Sequence, residues 1–126
     1  MYLDVDVLLA LIKEKDFNKI YANKINSIKE EKYTSVMSLV ELEIVIKREI
    51  SNILSMEIDM LILKIIPDLK IVDCNKKIFE DSLKLRIKYG MGIFDSIHAA
   101  TSLNFDKRIA STDNVYSKIK NLTVIS

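Results

Sequence analysis

The sequence has two glycines, one proline and a single cysteine among its 126 residues, and each scarcity removes a class of protein. A lone Cys74 cannot close an internal disulfide, so a disulfide scaffold is excluded and a reducing, intracellular setting is expected. The opening Met1-Tyr2-Leu3-Asp4 lacks a basic segment and sets a carboxylate where a signal peptide needs apolar residues, so the expected location is cytoplasmic. No uncharged apolar run approaches the roughly 18 residues of a membrane span, so no membrane partner is expected. Charge of one sign is also missing: 19 basic against 18 acidic residues leave +1, which argues against wholesale electrostatic binding of nucleic acid. Any contact with a polyanion must be local. So little glycine and proline implies short, stiff connections.

What is present is enough for one core. Hydrophobic residues make up 49% of the chain, and a chain of this length buries roughly two-thirds of the surface its unfolded form exposes. Residues 1–126 therefore read as a single domain, without repeats, low-complexity tracts or linkers.

Apolar spacing gives the order of elements. Tyr2 and Leu3 read as a buried strand that turns into a helix over Val5, Val7, Leu8, Leu9, Leu11 and Ile12. Phe17, Ile20, Tyr21, Ile25 and Ile28 recur at helical spacing and predict an amphipathic helix. Tyr33 to Val36 predicts a second strand, with Ser38 capping a helix that ends near Arg48 and Glu49. Ser51 or Asn52 caps an Ile53–Ile66 helix, apolar on more than one face and stopped by Pro67. Its Met56, Met60 and Leu63 would suit either burial or a homodimer contact. Leu69 to Val72 reads as a strand, and Asn75 as the cap of a helix whose buried stripe is Phe79, Leu83 and Ile87. Gly90 and Gly92 end that unit. A helix over Ile93 to Leu103, a strand at Ile109 and Ala110, a short helical segment from Val115 to Lys118 and a last strand over Leu122 to Ile125 complete the chain. Strands alternating with helices imply right-handed crossovers and an α/β fold, a mostly parallel sheet with helices on both faces. In such sheets, sites form beyond the carboxyl ends of the strands.

Four acids fall where a strand hands over to a helix or at a helix start facing the same sheet edge. Asp4, in YLDVDVLLAL, follows the first strand directly, where a helix cap is the ordinary use of an aspartate. Glu41, in TSVMSLVELE, lies one turn into the helix after the second strand, and Asp95, in YGMGIFDSIHAATS, sits in the first turn of its helix; complementing a helix dipole would explain either alone. Asp113, in RIASTDNV, follows the fourth strand and suits a turn or cap. His98, one turn from Asp95, reads as a hydrogen-bonded packing residue in preference to a ligand. Taken together, four carboxylates at one sheet edge repel one another and call for a cation. Hard oxygen donors select Mg²⁺ or Mn²⁺, and the matching chemistry is phosphodiester hydrolysis.

These four segments, in this order along essentially the whole chain, resemble a PIN domain, the ribonuclease fold of VapC-type toxins. Asp4 in LDVDVLL, Glu41 in SLVELE, Asp95 in IFDSIHAAT and Asp113 in STDNV fall on the family's four acidic positions, and Ser111 on the hydroxyl residue two places before the last acid. The chain departs from the pattern at Val5, usually small or hydroxyl-bearing, and at Asp6, usually Asn or Ser. The resemblance implies a Rossmann-like sheet and a divalent-metal-dependent ribonuclease, acting as an endonuclease by metal-activated water. Asp4, Glu41, Asp95 and Asp113 would be its catalytic and metal-binding residues, and Asp6 and Ser111 their hydrogen-bonding support. It also implies an RNA substrate, a VapB-type antitoxin and a homodimer. Nearby lysines and Arg108 are the expected substrate contacts. Two other readings have some footing in the residues: a PIN-like module that only binds RNA or protein, and an aspartyl-phosphate phosphatase built on Asp4-Val5-Asp6. The phosphatase lacks its usual hydroxyl residue, since Leu8 stands there, and no downstream acidic pair follows.

Overall fold

The computed structural model describes residues 1–49 and 55–126. Five short strands form one sheet: β1 (Tyr2–Leu3), β2 (Tyr33–Ser35), β3 (Lys70–Val72), β4 (Arg108–Ala110) and β5 (Thr123–Ile125). Their order is β3-β2-β1-β4-β5 and every pairing is parallel, with Tyr2 opposite both Tyr33 and Ile109. Helices α1 (Val5–Ile12), α2 (Lys19–Ser27), α3 (Val36–Glu49), α4 (Ser55–Ile65), α5 (Lys76–Tyr89) and α6 (Ile93–Leu103) make the crossovers, and a 3₁₀ turn at Asn114–Tyr116 precedes β5. The chain moves outward from β1 to one side, then returns to β1 and continues to the other. β1 and β4 therefore flank the switch point where such sheets hold their sites.

Helices cover both faces of the sheet, and alternation decides which residue serves which side. Leu3 and Ala110 point into a core with Val7, Leu8, Ile25, Leu42, Ile46, Ile58 and Ile62. Tyr2 and Ile109 point the other way, into a core with Tyr33, Met91, Ala99, Tyr116 and Ile119. Small residues Ala99, Ala100 and Ser102 are fully buried and let α6 lie close to the sheet. Among the described residues no helix is long and apolar enough to cross a membrane.

Several local expectations shift. The cap of the helix after β2 is Ser35, whose Oγ accepts the Ser38 amide at 3.1 Å, so the helix begins at Val36 and Ser38 lies inside it. On α5 the buried positions are Ile78 and Ser82, with Leu85 and Tyr89 half-buried against the core, while Phe79, Leu83 and Ile87 face outward, Ile87 88% exposed. The covered face thus runs through Ile78, Ser82, Leu85 and Tyr89, beside the expected stripe. On α2 only Ala22 and Ile25 are fully buried; Phe17 precedes the helix and is exposed, as is Ile20. The segment at Val115 tightens to the 3₁₀ turn. Other elements fall where spacing put them: Asn75 caps α5 by accepting the Ile78 amide at 2.9 Å, and Gly90 ends it with φ of +66°, a left-handed backbone that glycine adopts without strain. In α4, Ile58 and Ile62 are buried while Met60 and Leu63 are exposed. The expected cap at Ser51 or Asn52, the helix start at Ile53 and the side chain of Met56 lie outside the described residues.

Candidate active site

Chain direction brings the carboxyl ends of β1 and β4 together. Asp4, the first residue past β1, caps α1: its Oδ1 accepts the Val5 amide at 2.8 Å. Its Oδ2 accepts the Ser111 hydroxyl from the end of β4 at 2.7 Å. Both ordinary uses of an aspartate are thus satisfied, yet the carboxylate is buried, and burial first, then the neighbouring Asp6, pushes its pKa up to about 6. Asp6, in the first turn of α1, accepts the Thr112 amide at 2.6 Å and also the Thr112 hydroxyl through Oδ2; its Oδ1 is buried without a partner. Asp113 accepts the Val115 amide at 2.9 Å and so caps the 3₁₀ turn, while its own amide donates to Ser111 Oγ at 3.0 Å. Ser111 is the common fastener of the two strand ends.

The other two acids come from helices. Asp95, in the first turn of α6, is raised by burial and then by the charges of Asp113 and Glu41, which places all three within electrostatic reach. The Tyr116 hydroxyl lies 3.4 Å from Asp95 Oδ1, and burial among these acids drives its own pKa far up, so it remains a neutral donor. Glu41, in α3, turns its Oε1 to His98 Nε2 at 2.9 Å, and that nitrogen is 3.9 Å from Asp4 Oδ1. His98 is fully buried and contacted on both ring nitrogens, as a packing residue should be, with Nδ1 2.6 Å from the Tyr2 hydroxyl. Burial lowers its pKa, but Glu41, Asp4 and Asp95 together lift it above the ordinary value. Beneath it, Tyr2 Oη is 2.6 Å from Ser38 Oγ and 2.9 Å from Ser35 Oγ.

All four predicted acids, with Asp6 and Ser111, therefore stand at one edge. Arg108 does not: it begins β4 at the opposite end of the sheet, where it makes a two-point ion pair with Glu30. The Tyr2, Ser38 and His98 cluster was not predicted, although each member keeps a readable interval from an acid. Ser38 is three residues before Glu41 and His98 three after Asp95, so each shares that acid's helix face, and Tyr2 stands two residues before Asp4.

Among the described residues no three His, Cys, Asp or Glu side chains converge closely enough to grip a metal ion by themselves. Glu41 is turned to His98, and Asp6 and Asp113 to backbone amides. The donor chemistry nonetheless fits a hard divalent cation. The acids are all-oxygen donors, Asp4 and Asp95 are destabilised as anions by their surroundings, and Mg²⁺ engages only one or two carboxylates while keeping several waters.

The PIN domain family's sequence model matches residues 1–122. Known structures agree on the fold at low identity. The sarcin–ricin-loop-cleaving toxin VapC20 of Mycobacterium tuberculosis is 14% identical, with a TM-score of 0.78 over 92% of each chain. VapBC2 of Rickettsia felis, bound to a promoter DNA fragment, gives 15% identity and a TM-score of 0.76 over 98% of this chain and 96% of that one. A toxin–antitoxin complex of Klebsiella pneumoniae gives 16% and 0.74 over 99% and 95%. No curated protein matches the chain by sequence. The order of the strands and a family match along nearly the whole length lead to one assignment: the chain belongs to the PIN domain family.

Proposed function

We propose that the chain, as one domain over residues 1–126, is a divalent-metal-dependent endoribonuclease of the VapC kind, a cytoplasmic toxin restrained by a VapB-type antitoxin. The observation that carries this reading is the meeting of Asp4, Glu41, Asp95 and Asp113 at the switch point of the sheet, with Asp95 raised by the charges of Asp113 and Glu41. Structural likeness to VapC20 and to toxin–antitoxin complexes supports the toxin assignment. Asp4 and Asp95 are the residues to hold Mg²⁺ or Mn²⁺, with Glu41 and Asp113 completing the negative field. A bound ion would activate water and neutralise charge on the phosphodiester. The protein's own part is positional: Ser111 fixes Asp4, the Asp113 amide anchors Ser111 in turn, and Tyr116 lies against Asp95. Asp6 is committed to Thr112, which disfavours the phosphatase reading, since that chemistry needs the second aspartate free to move a proton. Met60 and Leu63, exposed on α4, support a homodimer.

The test is incubation of single-stranded and structured RNA with the antitoxin-free protein and Mg²⁺ or Mn²⁺, beside EDTA and Asp95→Asn controls. Internal cleavage lost in both controls is expected. Metal-independent RNA binding without cleavage by folded protein would favour the binding-module reading instead.

A further inference from the structure

Glu41 reaches the site from α3 on an unbranched side chain with three rotatable bonds, and something must choose its rotamer. Its carboxylate meets His98 Nε2 at 2.9 Å. A carboxylate only accepts, so Nε2 carries the proton. The other ring nitrogen meets the Tyr2 hydroxyl at 2.6 Å, and that hydroxyl is met by Ser38 at 2.6 Å and Ser35 at 2.9 Å. One assignment satisfies the whole chain of groups: the serine hydroxyls donate to Tyr2 Oη, Tyr2 donates to Nδ1, and Nε2–H donates to Glu41. Tyr2, Ser35, Ser38 and His98 are all buried, so no water replaces a lost member cheaply. The Tyr2 and His98 rings also touch, with centroids 5.6 Å apart, which limits the imidazole's freedom to tilt.

We propose that His98 is a positioning residue: held by Tyr2 from within the core, it fixes the Glu41 carboxylate at the ring nitrogen that also faces Asp4, and so sets the site's affinity for its divalent ion. The proposal rests on the reading of these acids as a divalent-metal site, and it adds that the buried core under β1 and β2 tunes that site. Neither Tyr2 nor Ser38 needs to touch the ion or the RNA. Loss of such an outer hydrogen-bonding partner costs about 10- to 100-fold in metal affinity.

Two readouts other than turnover test it. His98 is the only histidine in the sequence, so long-range ¹H–¹⁵N NMR of the metal-free protein reports its ring alone. A protonated Nε2 with an accepting Nδ1 is expected at mildly alkaline pH, and Tyr2→Phe, which keeps the packing, should disturb it. An unprotonated Nε2 overturns the proposal. Mn²⁺ binding, followed by EPR, should weaken about 10-fold or more in His98→Gln and in Tyr2→Phe. In a Glu41→Gln background His98→Gln should cost nothing further, because the interaction it served is already gone. RNA kcat should fall with KM little changed. Mn²⁺ affinity unchanged in both single variants, or equal losses of affinity with and without Glu41, overturn the positioning role. If the wild type binds no Mn²⁺, or Asp95→Asn binds it equally well, the metal-site reading itself fails and the proposal with it; binding that Asp95→Asn removes and Tyr2→Phe leaves untouched sinks the positioning role alone.

Discussion

The two ends of the sheet carry acids in opposite circumstances. At the carboxyl end Asp4 and Asp95 are raised by burial and by other acids, and His98 is the one cationic candidate the geometry sets against them among the described residues. At the amino end three acids are paired with cations: Glu30 with Arg108, Glu31 with Lys70 at 3.0 Å, and Asp106 with the Met1 amino group at 2.9 Å. There Arg108 holds Glu30 below the usual carboxylate range; burial opposes the same for Asp106, but donation from Tyr33 and the Met1 amino group wins. Five strands thus join an end that is electrostatically at rest to one that stores repulsion. The first serves stability and the second awaits a cation.

The largest expected break in this contrast is Asp95→Asn. RNA cleavage should fall by more than the ~100-fold that loss of an outer partner can cost, while the metal-free melting temperature holds or rises, since a repelled charge has been removed. A melted variant would place Asp95 among the structural residues.

pH separates the two ends next. A folded pKa of about 6 for Asp4, against 3.8 ordinarily, means its protonated form is favoured by folding, so stability is full below about pH 4 and declines as pH rises through 6. For so buried a group the decline amounts to about 3 kcal/mol at most, because a tenfold change in proton affinity between the folded and unfolded chain corresponds to ~1.4 kcal/mol. Glu30 and Asp106 act in the other sense: their contribution is present above pH 4 and lost as pH falls through their lowered values. Metal-free urea titrations from pH 3 to 8 should therefore show two limbs, with Asp4→Asn flattening the alkaline limb only. Loss of both limbs in that variant would show the ends to be coupled.

Mg²⁺ should act on one end alone. At 100 times its dissociation constant a ligand bound only by the folded state adds about 2.7 kcal/mol. Thermal melts with and without EDTA should show that gain in the wild type and in Arg108→Ala, but not in Asp95→Asn. An equal gain in all three would mean that the ion binds elsewhere.

The smallest effect is expected from Arg108→Ala itself. Its ion pair with Glu30 is partly exposed, 38% and 31% at the two side chains, and such pairs contribute ~1 kcal/mol or less. Denaturant unfolding should report that loss, with RNA cleavage unchanged; a large drop in cleavage would restore Arg108 as a substrate contact.

Much of this was legible from residue order. The alternation of strands and helices, the helix over Ile93 to Leu103, the Asn75 cap and the edge on which the four acids stand follow from periodicity and local chemistry. Those signals are local, set by 2.0- and 3.6-residue repeats and by which side chains satisfy free amides. The misplaced stripe on α5 has the opposite origin. Phe79, Leu83 and Ile87 repeat as well as Ile78, Ser82, Leu85 and Tyr89 do, and only tertiary packing decides which of the two faces is covered.

The same division runs through the site. By itself the sequence determined that Asp4 and Asp113 follow strands and that Glu41 and Asp95 stand near helix starts, because an aspartate past an apolar strand must cap, pair or bind and apolar spacing fixes where the helices begin. Tertiary structure alone decided how each is held: that Ser111 bridges β1 and β4, that Arg108 belongs to the opposite end, and that His98 reaches Glu41 while braced by Tyr2. Those partners lie 107, 57 and 96 residues apart along the chain. No local propensity encodes such contacts; they arise when parallel pairing lays β2, β1 and β4 side by side and the helices that follow are packed over them.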